Sequence, residues 1–283
     1  MLYPAKTLNC NGQIVDLSSP KIMGILNVTP DSFYDGGKYP GQLALKRVEE
    51  MLAEGADIID IGGMSSRPGA AIVSYEEERG RVIPIIQSIK NAFPNAIISV
   101  DTIRGGIAKE AFDSGAGIIN DISAGRLDNA MMEIISQVKM PYVLMHMQGT
   151  PETMQQAPNY QNVVQEVLEF LIQQLGQLRE LNATDVIIDP GFGFGKTVEH
   201  NFELLKQLHV FKILECPILV GLSRKSMINR SLGVNPEEAL NGTTALHMLA
   251  LQNGADILRV HDIKEAKEVC KLYEIYTNIK LDD

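Results

Sequence analysis

One stretch of the sequence combines residue types that could bind a charged, planar molecule. The run Val186-Ile187-Ile188 is apolar and β-branched, and it ends in the single carboxylate of Asp189. Such a run predicts a buried strand that delivers one charged group to the rim of a sheet. Residues 190–196 then read Pro-Gly-Phe-Gly-Phe-Gly-Lys. Glycines let the backbone approach a flat ligand and the two phenylalanines can lie against it, so we expect a ligand site here.

The spacing of these glycines excludes two common phosphate-binding motifs. If Gly195-Lys196-Thr197 closed a P-loop, the leading glycine would fall at position 190, which is proline. A dinucleotide-binding fingerprint needs two residues before its third glycine, whereas the glycines at 191, 193 and 195 alternate. A left-handed turn after a strand would explain one glycine, but not three beside an aspartate. A ligand site is therefore the favoured interpretation.

The elements that position this stretch belong to a repeating pattern. A hairpin is predicted at 7–17, with Asn11-Gly12 at its turn. Strands are then predicted at 22–28, 57–62, 97–101, 117–122, 142–146, 186–189, 218–222 and 256–261, and helices at 42–54, 76–92, 104–114, 128–138, 160–181, 199–208, 237–253 and 263–280. Alternation of this kind implies parallel strands with right-handed crossovers. Eight units in this length predict an α/β fold of the (β/α)8 TIM barrel type with a short N-terminal hairpin; an open doubly wound sheet is the alternative.

Three separated segments share one sequence pattern, which supports a repeating unit. They read Glu-Gly-Ala-Asp-Ile-Ile at 54–59, Ser-Gly-Ala-Gly-Ile-Ile at 114–119 and Asn-Gly-Ala-Asp-Ile-Leu at 253–258. Each predicts a glycine that caps a helix, a tight turn and then a buried strand.

Polar side chains are predicted at or just beyond the carboxyl end of every barrel strand. They are Asn27, Asp60, Asp101, Asn120, His146, Asp189, Ser223 with Lys225, and Arg259 with His261. A single strand-terminal Asp or Asn is often only a turn former or a helix cap. In a barrel, however, these ends converge on one rim, where catalytic residues lie. The whole set therefore predicts one active site.

Composition narrows the possible partners and the compartment. The formal net charge is −10 and no basic run is present, which argues against nucleic acid or an anionic membrane as a partner. The three cysteines are widely spaced without a Cys-x-x-Cys motif, as expected in a reducing compartment, and no apolar run approaches membrane-spanning length. We expect a cytoplasmic protein whose residues 1–283 form a single domain.

Several ordered motifs together resemble the dihydropteroate synthase family along nearly the whole chain. They are Gly-Ile-Leu-Asn-Val-Thr-Pro-Asp-Ser-Phe at 24–33, Asp-Ile-Gly-Gly at 60–63, Ser-Ser-Arg-Pro-Gly at 65–69, Ser-Val-Asp-Thr at 99–102, Ile-Asn-Asp at 119–121, the 189–196 loop, Ser-Arg-Lys-Ser at 223–226 and Arg-Val-His-Asp at 259–262. The loop after the second barrel strand departs from the family pattern, because Met64 replaces a glutamate and Ser66 a threonine. Ser66 keeps a hydroxyl, so only local contacts of Met64 are put in question.

The resemblance implies a TIM-barrel transferase that condenses a pterin methyl diphosphate with p-aminobenzoate in folate biosynthesis. It implies pterin binding by Asp101, Asn120, Met145, Asp189 and Lys225; p-aminobenzoate binding and loop contacts by Phe33, Ser66, Arg67, Pro68, Phe194 and Ser226; and diphosphate binding by Asn27, Arg67, Arg259 and His261. It further implies Mg²⁺ as cofactor with Asn27 as its ligand, and Asp101, Lys225, Arg259 and His261 as catalytic groups. Sulfonamide inhibitors and a homodimer are also expected.

The residue types suit these implied roles. Buried carboxylate and amide groups can pair with the adjacent donors and acceptors of an amino-pyrimidinone edge. Arg259 and His261 are two residues apart, so on a strand they would share a face and could clamp an anion. The alternative is that these residues form a structural polar network at the barrel rim and bind no ligand.

Three other functions compete with this one. A pterin-binding methyltransferase domain would share Asp101, Asn120 and Asp189, but it would not need the 66–68 loop or the Arg259-Val260-His261 clamp. A non-catalytic pterin-binding paralogue would not need the clamp either. An unrelated phosphate-binding barrel enzyme would not match all the motifs together. The sequence therefore favours the synthase.

Overall fold

The computed structural model describes residues 7–29, 40–64, 73–151, 153–154 and 158–279. The described chain begins with an antiparallel hairpin of β1 (Thr7–Cys10) and β2 (Gln13–Asp16). Its turn residues Asn11 and Gly12 have φ values of 52° and 86°, the left-handed geometry that an Asn-Gly hairpin turn requires. The predicted hairpin is confirmed.

Eight parallel strands follow the hairpin and form one sheet. They are β3 (Lys21–Asn27), β4 (Ile58–Gly62), β5 (Ile97–Asp101), β6 (Ile118–Asp121), β7 (Tyr142–Met145), β8 (Val186–Asp189), β9 (Leu219–Val220) and β10 (Ile257–Val260). Their order is β8-β7-β6-β5-β4-β3-β10-β9. A parallel bridge between Ile188 and Ile218, with a 2.9 Å bond from Ile188 N to Pro217 O, joins the two edges. The fold is therefore the predicted TIM barrel, and the open-sheet alternative is wrong.

Helices cross between the strands and surround the barrel. They are α1 (Pro40–Glu54), α2 (Tyr75–Ala92), α3 (Gly105–Asp113), α4 (Ala130–Val138), α5 (Val163–Glu180), α6 (Val198–Lys206), α7 (Ser226–Leu232), α8 (Leu240–Gln252) and α9 (Ile263–Asn278). Helix α7 was not predicted, and short 3-10 turns occupy Leu208–Leu214 and Pro236–Glu238. None of the helices in the described part of the chain could span a lipid bilayer.

The repeated sequence pattern has a common backbone cause. Gly55, Gly115 and Gly254 each follow a helix and have φ values of 101°, 101° and 103°. This conformation is disfavoured for residues with a Cβ, so glycine allows the chain to leave the helix and enter the next strand at once. The interpretation of these segments as repeated helix-to-strand joins is confirmed.

The hairpin closes the amino-terminal end of the barrel. Leu8, Cys10, Val15 and Leu17 pack in one cluster with residues from the bottoms of the strands, among them Met23 and Ile58. A second, larger cluster fills the layer between the barrel and its helices. Each fully buried isoleucine or leucine in these layers stabilises the fold by about 1.5–3 kcal/mol. Because apolar groups seal the lower end, polar chemistry is confined to the carboxyl-terminal rim.

Candidate active site

Strand register brings the first predicted site residues into one row. Asn27 pairs with Gly62, Gly62 with Asp101, and Asp101 with Asn120. In-register residues of neighbouring parallel strands share a face of the sheet. On the far side of the barrel, Met145 pairs with Asp189. The structure therefore places these five predicted residues at the ends of β3, β5, β6, β7 and β8.

Gly62 leaves an open space within that row. A Cβ on Gly62 would lie 3.5 Å from Asp101 Oδ2 and 3.6 Å from Asn27 Oδ1. Any side chain here would occupy the space that the two functional groups face. None of the described residues forms a hydrogen bond with the side-chain amide of Asn27.

Arg259 joins two carboxylates inside the barrel mouth. Its Nε donates to Asp60 Oδ2 and its Nη2 to Asp101 Oδ2, both at 2.7 Å. Asn120 Nδ2 also donates to Asp60 Oδ2, at 3.0 Å. Asp60 thereby fixes both a predicted diphosphate-binding residue and a predicted pterin-binding residue. Sequence reasoning noted Asp60 at a strand end but gave it no role.

Burial shapes the charge of this cluster. Desolvation raises the pKa of Asp101 to about 7, against the opposing charge of Arg259 and with the help of Asp60. The same two carboxylates raise the pKa of Arg259 above its ordinary value despite burial. One guanidinium thus serves two carboxylates, which makes protonation of Asp101 sensitive to pH near neutrality.

The free energy of unfolding should depend on pH through the titration of Asp101. The pKa of Asp101 rises from 3.8 to about 7 on folding, so between these pH values the native state binds a proton that the unfolded state does not. This proton binding stabilises the native state fully below pH 3.8, and the contribution is lost as pH rises through 7. We expect the stability of Asp101→Asn relative to wild type to increase across this window and then level off. Urea unfolding over the range will measure this, and a pH-independent difference would contradict the shift.

The glycines of the loop after β8 have the expected backbone conformation, but two of them pack against a neighbouring loop. Gly191, Gly193 and Gly195 all have positive φ, as three alternating glycines suggest. A Cβ on Gly191 would lie 1.8 Å from His146 O, and one on Gly195 would lie 2.7 Å from Gln148 O. These two glycines therefore permit close packing against the loop after β7 rather than against a ligand. The predicted reason for these glycines is corrected accordingly.

The two phenylalanines of the loop have separate surroundings. Phe192 is fully buried in the layer between barrel and helices, so the prediction that it lies against a ligand is wrong. Phe194 instead joins an apolar group near the rim, made of Ile103, Ile122, Met145, Met147, Met154 and Met64. This group forms an apolar wall that includes the predicted residues Met145 and Phe194.

Local bonds fix the direction of Asp189. Its Oδ1 accepts from Gly191 N at 2.7 Å, while Gly193 N donates to Asn201 Oδ1 at 2.7 Å. The start of α6 is capped by reciprocal bonds between Thr197 and His200. Burial raises the pKa of Asp189, and the charge of Lys225 is the largest influence that lowers it. The carboxylate is thus held at the rim beside a cation.

Lys225 reaches across from the loop before α7. Its Nζ donates to Phe192 O and lies 4.6 Å from the centre of the Phe194 ring. Burial lowers the pKa of this ammonium to about 8, against the charge of Asp189. Arg224, with φ of 55°, holds the loop through bonds of 2.8 and 2.7 Å to Asp262. Lys225 is therefore fixed close to Phe194 and the Asp189 loop.

His261 and Ser226 lie at the outer edge of the mouth. The Nδ1 atom of His261 is 3.0 Å from Ser223 Oγ, and the residue follows the end of β10. Desolvation and the charge of Arg259 lower the pKa of the imidazole. Ser226 is exposed as the first residue of α7. Arg259 thus points inward to carboxylates while His261 stays at the rim.

The remaining predicted residues are Phe33, Ser66, Arg67 and Pro68, which lie outside the described residues. Sequence reasoning also gave no role to Lys196, whose ammonium is buried and donates to the carbonyl oxygens of Gly191 and Phe194. Its position after an apolar strand and three glycines was the available signal.

The fold and this rim define a class of protein. Residues 23–261 match the family model described as "Pterin binding enzyme". The chain belongs to the pterin-binding enzyme family.

Within that family the similarity is to dihydropteroate synthases. The chain is 45% identical to dihydropteroate synthase of Escherichia coli (strain K12), over 96% of this chain and 97% of the relative. The Yersinia pestis dihydropteroate synthase, solved with a sulfonamide drug complex, is 40% identical with a TM-score of 0.91, covering 96% and 100% of the two chains. The Xanthomonas albilineans enzyme with 4-aminobenzoic acid is 39% identical with a TM-score of 0.91, covering 97% and 99%. The chain is a transferase of the dihydropteroate synthase group.

Proposed function

We propose that the rim condenses 6-hydroxymethyl-7,8-dihydropterin diphosphate with p-aminobenzoate, releasing diphosphate and forming 7,8-dihydropteroate. The observation that carries this proposal is the pairing of acceptors with cations at one barrel mouth. Asp101, Asn120 and Asp189 supply acceptors, and Arg259 and Lys225 supply positive charge. An apolar wall that contains Met145 and Phe194 lies near the same mouth.

The pterin is proposed to lie between the polar and apolar sides of the mouth. The carboxylate of Asp189 and the amide of Asn120 pair with the amino-pyrimidinone edge, while Met145 contacts the ring face. Lys225 meets the ring carbonyl and offsets the negative charge of Asp189. A site of buried polar groups rejects ring systems that cannot supply their partners.

The diphosphate is proposed to occupy the space outside Gly62. Asn27 borders this space. Arg259 and His261 are proposed to reach the diphosphate from the end of β10, with Arg67 as a further proposed contact. Among the described residues, no group of three or more His, Cys, Asp or Glu side chains forms a metal cage. A lone amide oxygen at Asn27 still fits Mg²⁺, which takes few protein ligands and relies on substrate phosphates. When bound there, Mg²⁺ would neutralise diphosphate charge.

The reaction is proposed to be dissociative. Arg259 and His261 stabilise the departing diphosphate, and the nearby carboxylate of Asp101 stabilises the pterin methylene cation as it develops. Once the C–O bond to the diphosphate has broken, the aromatic amine of p-aminobenzoate forms the new C–N bond at that carbon and releases its proton to solvent or to the departing diphosphate. Phe194 and Ser226, with Phe33, Ser66, Arg67 and Pro68, are proposed to frame the aminobenzoate. Sulfonamides, which share its aromatic amine, are proposed to compete for this space.

Calorimetry with two pterins tests the diphosphate subsite. We expect pterin diphosphate to bind more tightly than the pterin alcohol, and Mg²⁺ to strengthen only the former. In Asn27→Ala the strengthening by Mg²⁺ should be lost while the affinity for pterin alcohol is retained. Equal Mg²⁺ dependence in wild type and Asn27→Ala would remove Asn27 as the metal ligand.

A homodimer is proposed from an apolar surface on the last two helices. Leu249 on α8 and Leu272, Ile275 and Tyr276 on α9 are exposed large hydrophobic residues. Grouped apolar residues on a surface commonly mark an interface. Ala250, next to Leu249 on α8, is fully buried and is therefore not part of this surface. The proposed setting is the cytoplasm, supported by three cysteines that are free thiols.

The dimer surface can be tested with a matched pair of substitutions. Ile275 on α9 is 54% exposed and Ile172 on α5 is 51% exposed, so they differ in place rather than in exposure. We expect Ile275→Asp to convert the dimer to a monomer, because a charge would be buried at the interface. Ile172→Asp should leave the dimer intact. Sedimentation equilibrium measures both, and an unchanged mass for Ile275→Asp would contradict this surface.

A further inference from the structure

Lys196 has a buried environment that the proposed reaction does not use. The residue is only 4% exposed. Its Nζ lies 2.9 Å from Gly191 O, 3.1 Å from Phe194 O and 3.0 Å from His146 Nδ1. A fourth, longer contact of 3.5 Å joins the ammonium to His146 O. A lysine ammonium has three N–H donors, so the surrounding acceptors are enough to engage all of them. None of the carboxylates in the described ranges forms a salt bridge with Lys196. The acceptors that contact its ammonium are therefore neutral oxygen and nitrogen atoms.

These acceptors come from the two loops that border the proposed pterin site. His146 directly follows Met145, and Gly191 and Phe194 follow Asp189. Burial and the charge of Lys196 lower the pKa of His146 to about 2, so its ring stays neutral and Nδ1 can accept. The ammonium therefore bonds one loop to the other at the place where both present ligand-facing side chains.

We propose that Lys196 is a positioning residue for pterin binding. Its ammonium acts as an internal cation that holds residues 190–195 against the loop after β7, which fixes the direction of Asp189 and Phe194. This inference rests on the proposed pterin site. It also predicts a cation site: without the side chain, the same acceptors should bind a small alkylammonium ion.

Protonation of Lys196 supplies a readout that a purely structural role would not give. Burial lowers the pKa of Lys196 to about 7 against the charge of Asp189, while Lys225 lowers it further. His146, Asp189 and Lys225 are the ionisable groups that face it. Above this value the ammonium loses a donor and its hold weakens. The advantage of wild type over a neutral replacement should therefore shrink as pH rises through 7.

The first test compares pterin affinity of wild type, Lys196→Met and Lys206→Met by calorimetry, with melting curves as a check on folding. Lys206 is an exposed lysine at the end of α6 and serves as the control. We expect about a tenfold loss of affinity below pH 7 for Lys196→Met only, and a smaller loss above it. A wild type that does not bind pterin overturns the proposed function and this inference with it. A wild type that binds, with Lys196→Met equal to it, overturns this inference alone.

The second test uses Lys196→Ala and propylammonium, which replaces the atoms that the substitution removes. We expect propylammonium to restore pterin affinity to Lys196→Ala and to leave wild type and Lys206→Ala unchanged. Should Lys196→Met fail to fold, this experiment decides alone. Failure of propylammonium to restore either folding or affinity overturns the cation site and leaves Lys196 with a purely structural role.

Discussion

Asp189→Asn is expected to weaken pterin binding severely while leaving the fold in place. The substitution puts a donor where the carboxylate presents an acceptor, opposite the amino-pyrimidine edge. Losing one partner of a buried, charged hydrogen-bond set costs about 2–5 kcal/mol, or roughly 30-fold to several-thousand-fold in affinity. The fold should survive because carboxylates at the C-terminal rim of a barrel serve function more than stability. Calorimetric titration with pterin and thermal melting measure the two effects.

Asp121 offers a matched control for this change. It is a buried carboxylate on β6 whose Oδ2 accepts from Tyr142 Oη and Gly125 N, both at 2.7 Å. Asp121→Asn should therefore lower the melting temperature and leave the pterin affinity of the folded protein unchanged. If Asp189→Asn binds pterin within about threefold of wild type, a loss of under roughly 0.7 kcal/mol, Asp189 is a turn residue and not the pterin anchor.

Arg259→Ala is expected to damage both stability and diphosphate binding. It leaves the carboxylates of Asp60 and Asp101 in the barrel mouth without their shared cation. Removing one partner of a buried ion pair destabilises a protein by about 3–5 kcal/mol. In the protein that remains folded, affinity for pterin diphosphate should fall more than affinity for pterin alcohol. Urea unfolding and calorimetry give the two values.

Two further variants separate these effects of Arg259. Arg79→Ala removes an exposed ion pair with Glu110 and should change stability far less, because solvent screens such a pair. Arg259→Ala combined with Asp60→Asn should recover part of the stability, because one uncompensated charge is gone, but it should not recover diphosphate binding. Equal losses of affinity for the two pterins would remove Arg259 from the diphosphate subsite.

The barrel could be predicted from the sequence because its strands have a simple physical pattern. The strand predicted at 186–189 matches β8 in both bounds, as 97–101 matches β5. Buried parallel strands are short, apolar and β-branched, and glycine marks where each helix ends. Closure was not predictable from strand counting, since it depends on one bridge between Ile188 and Ile218. Helix α7 was missed because its seven residues are too few to display a helical period.

The positions of the candidate site residues could be predicted from the sequence, but their hydrogen-bond and ion-pair partners could not. Strand ends placed Asp101, Asn120 and Asp189 correctly at the rim, because parallel strands share a direction. The partners of Arg259 could not be foreseen, since Asp60 lies 199 positions away in sequence and its inward direction depends on register. In the same way, three glycines predict an unusual backbone without showing whether a ligand or another loop fills the space beside it.

The most direct test of the central claim is a turnover assay. The protein, pterin diphosphate, p-aminobenzoate and Mg²⁺ are incubated together, and dihydropteroate and free diphosphate are measured over time. We expect the two products to appear in equal amounts with wild type and with Arg79→Ala. With Arg259→Ala, assayed under conditions in which that variant is folded, we expect neither product to rise above background. Absence of dihydropteroate with a folded wild-type protein that binds both substrates would contradict the account.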